Sequence, residues 1–142
     1  MSPQSLEDLI RAGRLERVNP DAEAARTRVD EAKLHLRSAR QIADADPNGA
    51  YQLLYDASRK ALRAHMLANG LRPANRPGAH DATGCYGALM LASPGAAVRR
   101  FDAMRRNRNR SEYGVMLFER SLIERDLVYA ERIVAAVEEN LP

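Results

Sequence analysis

Apolar residues recur every three or four positions along most of this chain, which is the spacing of one face of an α-helix. In the first half, this stripe consists of Val29, Ala32, Leu36, Ala39 and Ala43. Near the carboxyl end it consists of Ile123, Leu127, Ala130, Val134, Val137 and Leu141. Runs of β-branched residues, which favour strands, do not occur, so the pattern predicts a fold built from helices.

Prolines and glycines divide the helical pattern into segments. The predicted order is a short helix over 3–14, a long helix from Asn19-Pro20 to a turn at 46–49, a third helix from Ala50 to Gly70, a loop over 71–80, a short helix over 81–92 and a helix that begins at Ser93-Pro94, followed by the closing helix. Short connections between long amphipathic helices are typical of bundles. We therefore expect an all-α, antiparallel four-helix-type bundle over 19–142, with short additional helices and a helical extension over 1–18.

Composition excludes several classes of protein. The chain has 142 residues, 45% hydrophobic and 29% charged, the balance of an ordinary globular domain. Its single cysteine, Cys85, cannot form an internal disulfide, and the three histidines lie far apart without zinc-site spacing, so neither metal nor cofactor is expected. The first residues are too acidic for a signal peptide, and no apolar run reaches a membrane span, so we expect a cytoplasmic protein.

Positive charge is concentrated in one segment. Between Arg99 and Arg110 there are six arginines and one acid, Asp102, so this segment carries +5 while the whole chain carries only +3. The loop over 71–80 adds a smaller cationic group, Arg72, Arg76 and His80. Such local charge is more informative about partners than the total, because phosphate groups respond to nearby arginines.

Helical spacing divides these arginines between two sides of one helix. The side centred on Phe101 holds Val98, Met104, Arg105, Arg108 and Glu112. The opposite side holds Arg99, Arg106 and Arg110. The apolar stripe thus turns cationic towards the end of the helix.

Two interpretations of this segment are open. Asp102 lies four residues before Arg106, and Glu112 lies four residues after Arg108, so both pairs are predicted to form salt bridges within the helix. Charged residues on a core-facing line are rarely buried unless they are paired, so Arg105 and Arg108 are also expected to reach a cleft or another subunit. We interpret the outer side as a solvated face and the inner line as a site for an anionic ligand.

The end of this segment resembles a motif of HEPN domains, the small helical proteins of prokaryotic toxin–antitoxin and phage-defence systems. Their motif is an arginine, then four to six residues, then a histidine, and the residue directly after the arginine is often asparagine. Here it reads Arg108-Asn109-Arg110-Ser111-Glu112-Tyr113, with tyrosine in the histidine position. The stretch "GAYQLLYDASRKALRAHMLANGLRP" is similar to the second bundle helix of that family, and "LVYAERIVAAVEENL" to its closing helix.

The resemblance implies a homodimer in which two copies of the motif face each other and cleave RNA without a metal. In that site Arg108 would stabilise negative charge on the phosphate, with Asn109 and Tyr113 assisting. We expect further RNA or phosphate contacts from Arg76, His80, Arg99, Arg100, Arg105, Arg106 and Arg110. A cognate antitoxin, such as a minimal nucleotidyltransferase, is an expected partner of a toxin of this family.

Three functions are compatible with the sequence. The first is a metal-independent endoribonuclease toxin. The second is a non-catalytic HEPN module that binds RNA, a nucleotide or a protein through the same arginines. The third is a structural subunit whose arginines only form salt bridges. Tyr113 separates the first two, because tyrosine has an ordinary pKa of about 10 and is a weak base near neutral pH, whereas His80 is a candidate substitute from the cationic loop.

Overall fold

The structure, a computed structural model, describes residues 5–76, 81–91, 95–112 and 118–142. These residues form six helices: α1 (Leu6–Arg11), α2 (Ala22–Ile42), α3 (Pro47–Ala68), α4 (Ala82–Met90), α5 (Gly95–Glu112) and α6 (Arg120–Glu139). They also form two short strands, β1 (Leu15–Arg17) and β2 (Leu71–Pro73). The all-α class that the sequence predicts is confirmed.

Side-chain caps decide where the two longest early helices begin. The Asp21 carboxylate accepts a hydrogen bond from the Ala24 amide at 2.9 Å, so α2 begins after Asp21 and not at the predicted pair Asn19-Pro20. The Asp46 carboxylate accepts one from the Gly49 amide, also at 2.9 Å, with Pro47 in the first turn. The predicted turn at 46–49 is therefore the first turn of α3.

The strands correct the expectation of a purely helical chain with a loop from residue 71. β1 and β2 pair in antiparallel register, with Leu15 opposite Pro73 and Arg17 opposite Leu71. Gly70 has a φ of 74°, which a glycine adopts without strain, and this turn ends α3 and leads into β2. Three-residue strands are too short to carry a recognisable alternation, which is why the sequence does not reveal them.

The main core lies between α2, α3, α5 and α6. α3 contacts the other three, and α6 also contacts α2 and α5. Both predicted stripes are confirmed, since the buried residues include Val29, Ala32, Leu36 and Ala39 of α2 and Ile123, Leu127, Ala130, Val134 and Val137 of α6. The antiparallel four-helix arrangement stays a prediction.

A second, smaller core packs the amino-terminal segment against the end of α3 and against α4. Leu9 and Leu15 are buried there beside Met66 and Tyr86. In the same region the Tyr86 hydroxyl lies 2.7 Å from Nδ1 of His65, and burial lowers the pKa of this histidine. His65 therefore has a packing role, as its position in the α3 stripe suggests.

Candidate functional site

The inner side of the arginine-rich helix α5 is apolar at first and cationic towards its end, as helical spacing predicts. Val98, Phe101 and Met104 are buried in the main core. Arg105 and Arg108 follow on the same line, and their side chains are 22% and 32% exposed, whereas that of Arg106 on the outer side is 62% exposed. The line thus leaves the core at the boundary between α5 and α3.

Arg108 is held in place mainly by residues of α3. Its Nε donates a hydrogen bond to Oε1 of Gln52 at 3.1 Å, and its guanidinium carbon lies 5.4 Å from the centre of the Tyr55 ring. Nη1 donates to Oδ1 of Asn109 at 3.2 Å, and Nη2 lies 3.5 Å from a carboxylate oxygen of Glu112. Because a guanidinium has five N–H groups, N–H groups on both terminal nitrogens remain for a ligand.

Tyr55 forms the support under this guanidinium. Its ring stacks on Phe101 with the ring centres 5.4 Å apart, so it is fixed from the core side. Burial raises the pKa of Tyr55, and the positive charges of Arg59 and Arg108 only partly oppose this effect. Tyr55 therefore stays a neutral phenol and serves as a flat surface and not as a base.

Both salt bridges predicted within α5 are present. Asp102 lies 3.1 Å from Nη1 of Arg106 and also 3.0 Å from Nη2 of Arg105, so one carboxylate is shared by two arginines. Glu112 pairs with Arg108 as described above. These are partly exposed pairs between neighbouring turns, and such pairs exchange readily for a stronger anionic partner.

Arg100 has a different environment from the one predicted for it. Its Nε and Nη2 donate to the two carboxylate oxygens of Asp126 at 3.1 and 2.9 Å, and Asp126 is fully buried in α6. These hydrogen bonds raise the pKa of Arg100. The geometry is that of a bidentate ion pair that joins α5 to α6, so this guanidinium is engaged inside the fold.

Tyr51 connects the buried pair to the middle of α5. Its hydroxyl donates to Asp126 at 2.6 Å and accepts a hydrogen bond from the Asn107 side chain at 3.1 Å. Its ring stacks on Phe118 with the centres 4.1 Å apart. Burial raises the pKa of Tyr51, and the hydrogen bond to Asp126 raises it further, so the phenol keeps its proton.

The remaining predicted residues are spread over the surface. Arg99 and Arg105 line one groove of about 370 Å³ between α4 and α5, which Asp81 and Asp102 also line. Arg110 is exposed on the outer side of α5. The Arg76 guanidinium packs against Gly13, near the amino-terminal segment, and no contact between described residues joins it to Arg108.

Two predicted residues, Tyr113 and His80, lie outside the described residues, and nothing about their positions enters the site.

Sequence reasoning missed the residues that support the arginines. Gln52 and Tyr55 lie three positions apart on one side of α3, and only the fold brings them to Arg108. Asp126 did leave a signal, because it lies three residues after Ile123 and one before Leu127, on the apolar stripe of α6. A carboxylate on a core-facing line is buried only when it is paired, so it predicts a cationic partner.

Comparison with models of protein families, with curated proteins and with solved structures gives no match for this chain. Within the described ranges, no helix is long and apolar enough to cross a membrane. Among the same residues, no group of three or more histidine, cysteine or acidic side chains is placed to hold a metal ion. Functional inference therefore depends on the site itself.

Proposed function

We propose that this protein binds RNA through the carboxyl-terminal half of α5, as a HEPN-like RNA-binding module. The observation that carries the proposal is the position of Arg108. Its guanidinium is oriented by Gln52 and supported by the Tyr55 ring, and yet it is about one-third exposed and keeps N–H groups for a ligand. A fixed guanidinium at a surface is suited to a phosphate group, which it binds through two parallel hydrogen bonds.

The surrounding charge supports a polyanion over a single small anion. Arg105 and Arg106 share one carboxylate, so together with Asp102 they keep a net positive charge beside Arg108. Arg110 is exposed on the outer side of the same turns. A cluster of this kind raises the local concentration of a phosphate chain and lets successive phosphates be neutralised. The resemblance of residues 108–113 to the HEPN motif favours RNA as that chain.

A second proposal is that the bound RNA is cleaved. It is favoured by Glu112, whose carboxylate lies 3.5 Å from the Arg108 guanidinium, so a general base and a phosphate-binding cation are adjacent. In this proposal Glu112 accepts the proton of a ribose 2′-hydroxyl, which attacks the neighbouring phosphorus while Arg108 stabilises the added negative charge. The proton for the leaving 5′-oxygen would come from Tyr113 or from water. We also propose that the protein forms a homodimer and has a cognate antitoxin as its partner.

Binding is tested by fluorescence anisotropy with a labelled 12-nucleotide single-stranded RNA and purified full-length protein. We expect Arg108→Gln to weaken binding about tenfold and to reduce the slope of log K against log salt by about 0.7, the value for one phosphate contact to a single strand. Arg37→Gln is the matched control, because Arg37 is an exposed arginine on α2. Equal affinities for wild type and both variants would refute the proposal.

Cleavage is tested with the same proteins by incubating the RNA and separating the products on a denaturing gel. Cleavage by wild type that is lost in both Arg108→Gln and Glu112→Gln, and kept in Arg37→Gln, supports the ribonuclease. Intact RNA in a preparation that binds it with the expected salt dependence identifies a non-catalytic module. Light scattering after size exclusion measures whether the chain is a dimer under the same conditions.

A further inference from the structure

A second group of arginines lies on the opposite end of α3 from Gln52. The groove between the first half of α2, the end of α3 and strand β2 has a volume of about 240 Å³ and is lined by Arg28, Arg63 and Arg72. The rest of its lining is Val18, Leu67, Leu71 and Pro73, with no acidic residue. Three cations around an apolar floor attract an anion more strongly than a solvated surface does, because the low-dielectric wall screens the charges less.

Arg63 is the residue of this groove that has a buried hydrogen-bond donor without an acceptor in the described part of the chain. Its Nε is buried and has no hydrogen-bond partner among the described residues. A buried donor without an acceptor is unfavourable, and it is rare in folded proteins. Burial lowers the pKa of Arg63, and the charges of Arg59 and Arg28 lower it further, whereas Tyr55 and Asp56 oppose this shift only in part.

The other two arginines are free to turn towards a ligand. Arg28 is exposed on α2, and the neighbouring Glu31 pairs with Lys60 at 3.3 Å. Arg72 pairs with Glu16 across the β-ribbon at 2.9 Å, and both side chains are largely exposed, so the pair contributes little and can be exchanged. Arg28 also borders a separate depression, which Asp21, Glu23 and Glu31 line.

We propose that Arg28, Arg63 and Arg72 form a pocket for one phosphate group. Its volume is below the roughly 300 Å³ at which pockets for drug-sized ligands begin, which fits a phosphate and not a whole nucleotide. The source of the phosphate rests on the proposed function: it belongs to the RNA strand that Arg108 also contacts. Guanidinium groups bind phosphate with paired hydrogen bonds, and the buried Nε of Arg63 supplies a donor that already lacks an acceptor.

A line of positive charge on α3 joins the two sites. Tyr55, Arg59 and Arg63 follow each other at intervals of four residues, on one side of the helix. Within the described part of the chain, Arg59 forms one ion pair, with the half-buried Asp56 at 3.1 Å. Gln52 and Arg63 are separated by about 16 Å along the helix axis, which is about five nucleotides at about 3.4 Å per nucleotide of a stacked strand. A trinucleotide therefore reaches one site, whereas a dodecamer reaches both.

Two RNA lengths separate the pocket from the Arg108 site. For the 12-nucleotide RNA, we expect Arg28→Gln/Arg63→Gln to weaken binding about tenfold and to lower the salt slope by about 1.4, the value for two contacts. For a 3-nucleotide RNA, the double variant should bind as wild type does, whereas Arg108→Gln weakens both lengths. Arg37→Gln is again the control, since residues 28 and 37 are nine positions apart and so point to opposite sides of α2.

The pocket itself is tested without RNA, by following the Nε–Hε signal of Arg63 in ¹H–¹⁵N spectra during addition of inorganic phosphate. The signal is assigned by its loss in Arg63→Gln, and sodium chloride at equal ionic strength is the reference. A saturable shift with phosphate alone is expected. An equal response to chloride overturns the pocket. Arg28→Gln, at an exposed position, is the second variant if Arg63→Gln lowers the melting temperature.

The outcomes for the two proposals are distinguishable. If wild type binds no RNA while the Arg63 signal shifts and saturates with phosphate, the RNA function fails and the phosphate pocket stands. If RNA binds through Arg108 at both lengths while Arg28→Gln/Arg63→Gln changes nothing, the pocket has no part in RNA binding and this inference is refuted.

Discussion

The two halves of α5 use the same side chain for opposite purposes. In the first half, Arg100 makes two hydrogen bonds to Asp126, a carboxylate that is completely buried. In the second half, Arg105 pairs with Asp102 and Arg108 with Glu112, and these carboxylates are 45% and 46% exposed. The arginines themselves are about equally exposed, at 25% for Arg100, 22% for Arg105 and 32% for Arg108, so the two halves differ in the burial of the partner carboxylate.

The difference shows that the partner and not the arginine determines the role. A buried carboxylate cannot be left without its cation, because water is not available to replace it. An exposed carboxylate can lose its arginine to a ligand, because water then solvates the carboxylate. The half of α5 that faces Asp126 is therefore expected to control stability, and the half that faces Gln52 and Tyr55 is expected to control binding.

The largest effect is expected from Asp126→Ala. This change leaves the partly buried Arg100 without its partner and leaves the Tyr51 hydroxyl without its acceptor, so the free energy of unfolding should fall by about 3–5 kcal/mol. Urea unfolding followed by circular dichroism measures it. Asp102→Ala is the matched control, because Asp102 also pairs with arginines of α5 but is partly exposed. We expect it to change the free energy of unfolding by less than about 1 kcal/mol. Similar values for both would mean that Asp126 is not the buried anchor its contacts indicate.

Variants of the arginines should change the free energy of unfolding less than Asp126→Ala does. Arg100→Gln and Arg108→Gln should also rank in opposite order for stability and for RNA affinity. Arg100→Gln should lower the free energy of unfolding by about 2–3 kcal/mol, because Asp126 loses two charge-assisted hydrogen bonds. Arg108→Gln should lower it by less than about 1 kcal/mol. RNA affinity should follow the opposite order, with Arg108→Gln much the weaker binder and folded Arg100→Gln within about twofold of wild type. If both variants lose affinity equally, the division of α5 into two roles is wrong.

The sequence predicts the face of each helix better than it predicts what meets that face. The position of Arg105 and Arg108 on the buried line follows from helical periodicity alone, and their partial burial confirms it. The ion pair of Asp102 and Arg106 is equally predictable, because the two residues are four positions apart in one helix. The role of Arg100 is not, because its partner is 26 positions away and depends on how α6 packs.

For the same reason the strands and the second groove were not predicted, because each depends on residues far apart in the sequence. Strands β1 and β2 are paired by contacts between residues such as Glu16 and Arg72, which are 56 positions apart. The groove of Arg28, Arg63 and Arg72 needs α2, α3 and β2 to be assembled before it exists. Local rules give the helices and their faces, whereas pairings between distant segments depend on tertiary packing.

The smallest expected effect concerns the carboxylate that Arg105 and Arg106 share. Asp102→Ala removes a negative charge beside the proposed RNA path and frees both guanidinium groups, so RNA affinity should rise about two- to threefold at 50 mM salt. Glu138→Ala is the control, because it also removes an exposed carboxylate, the one paired with Lys33 at 2.9 Å on the α2–α6 side. Anisotropy at 50 and 500 mM salt should show the gain shrinking as ions screen the charges. Weaker binding by Asp102→Ala would mean that this carboxylate orients Arg105 for its ligand, and the second half of α5 would then contain a fixed ion pair just as the first half does.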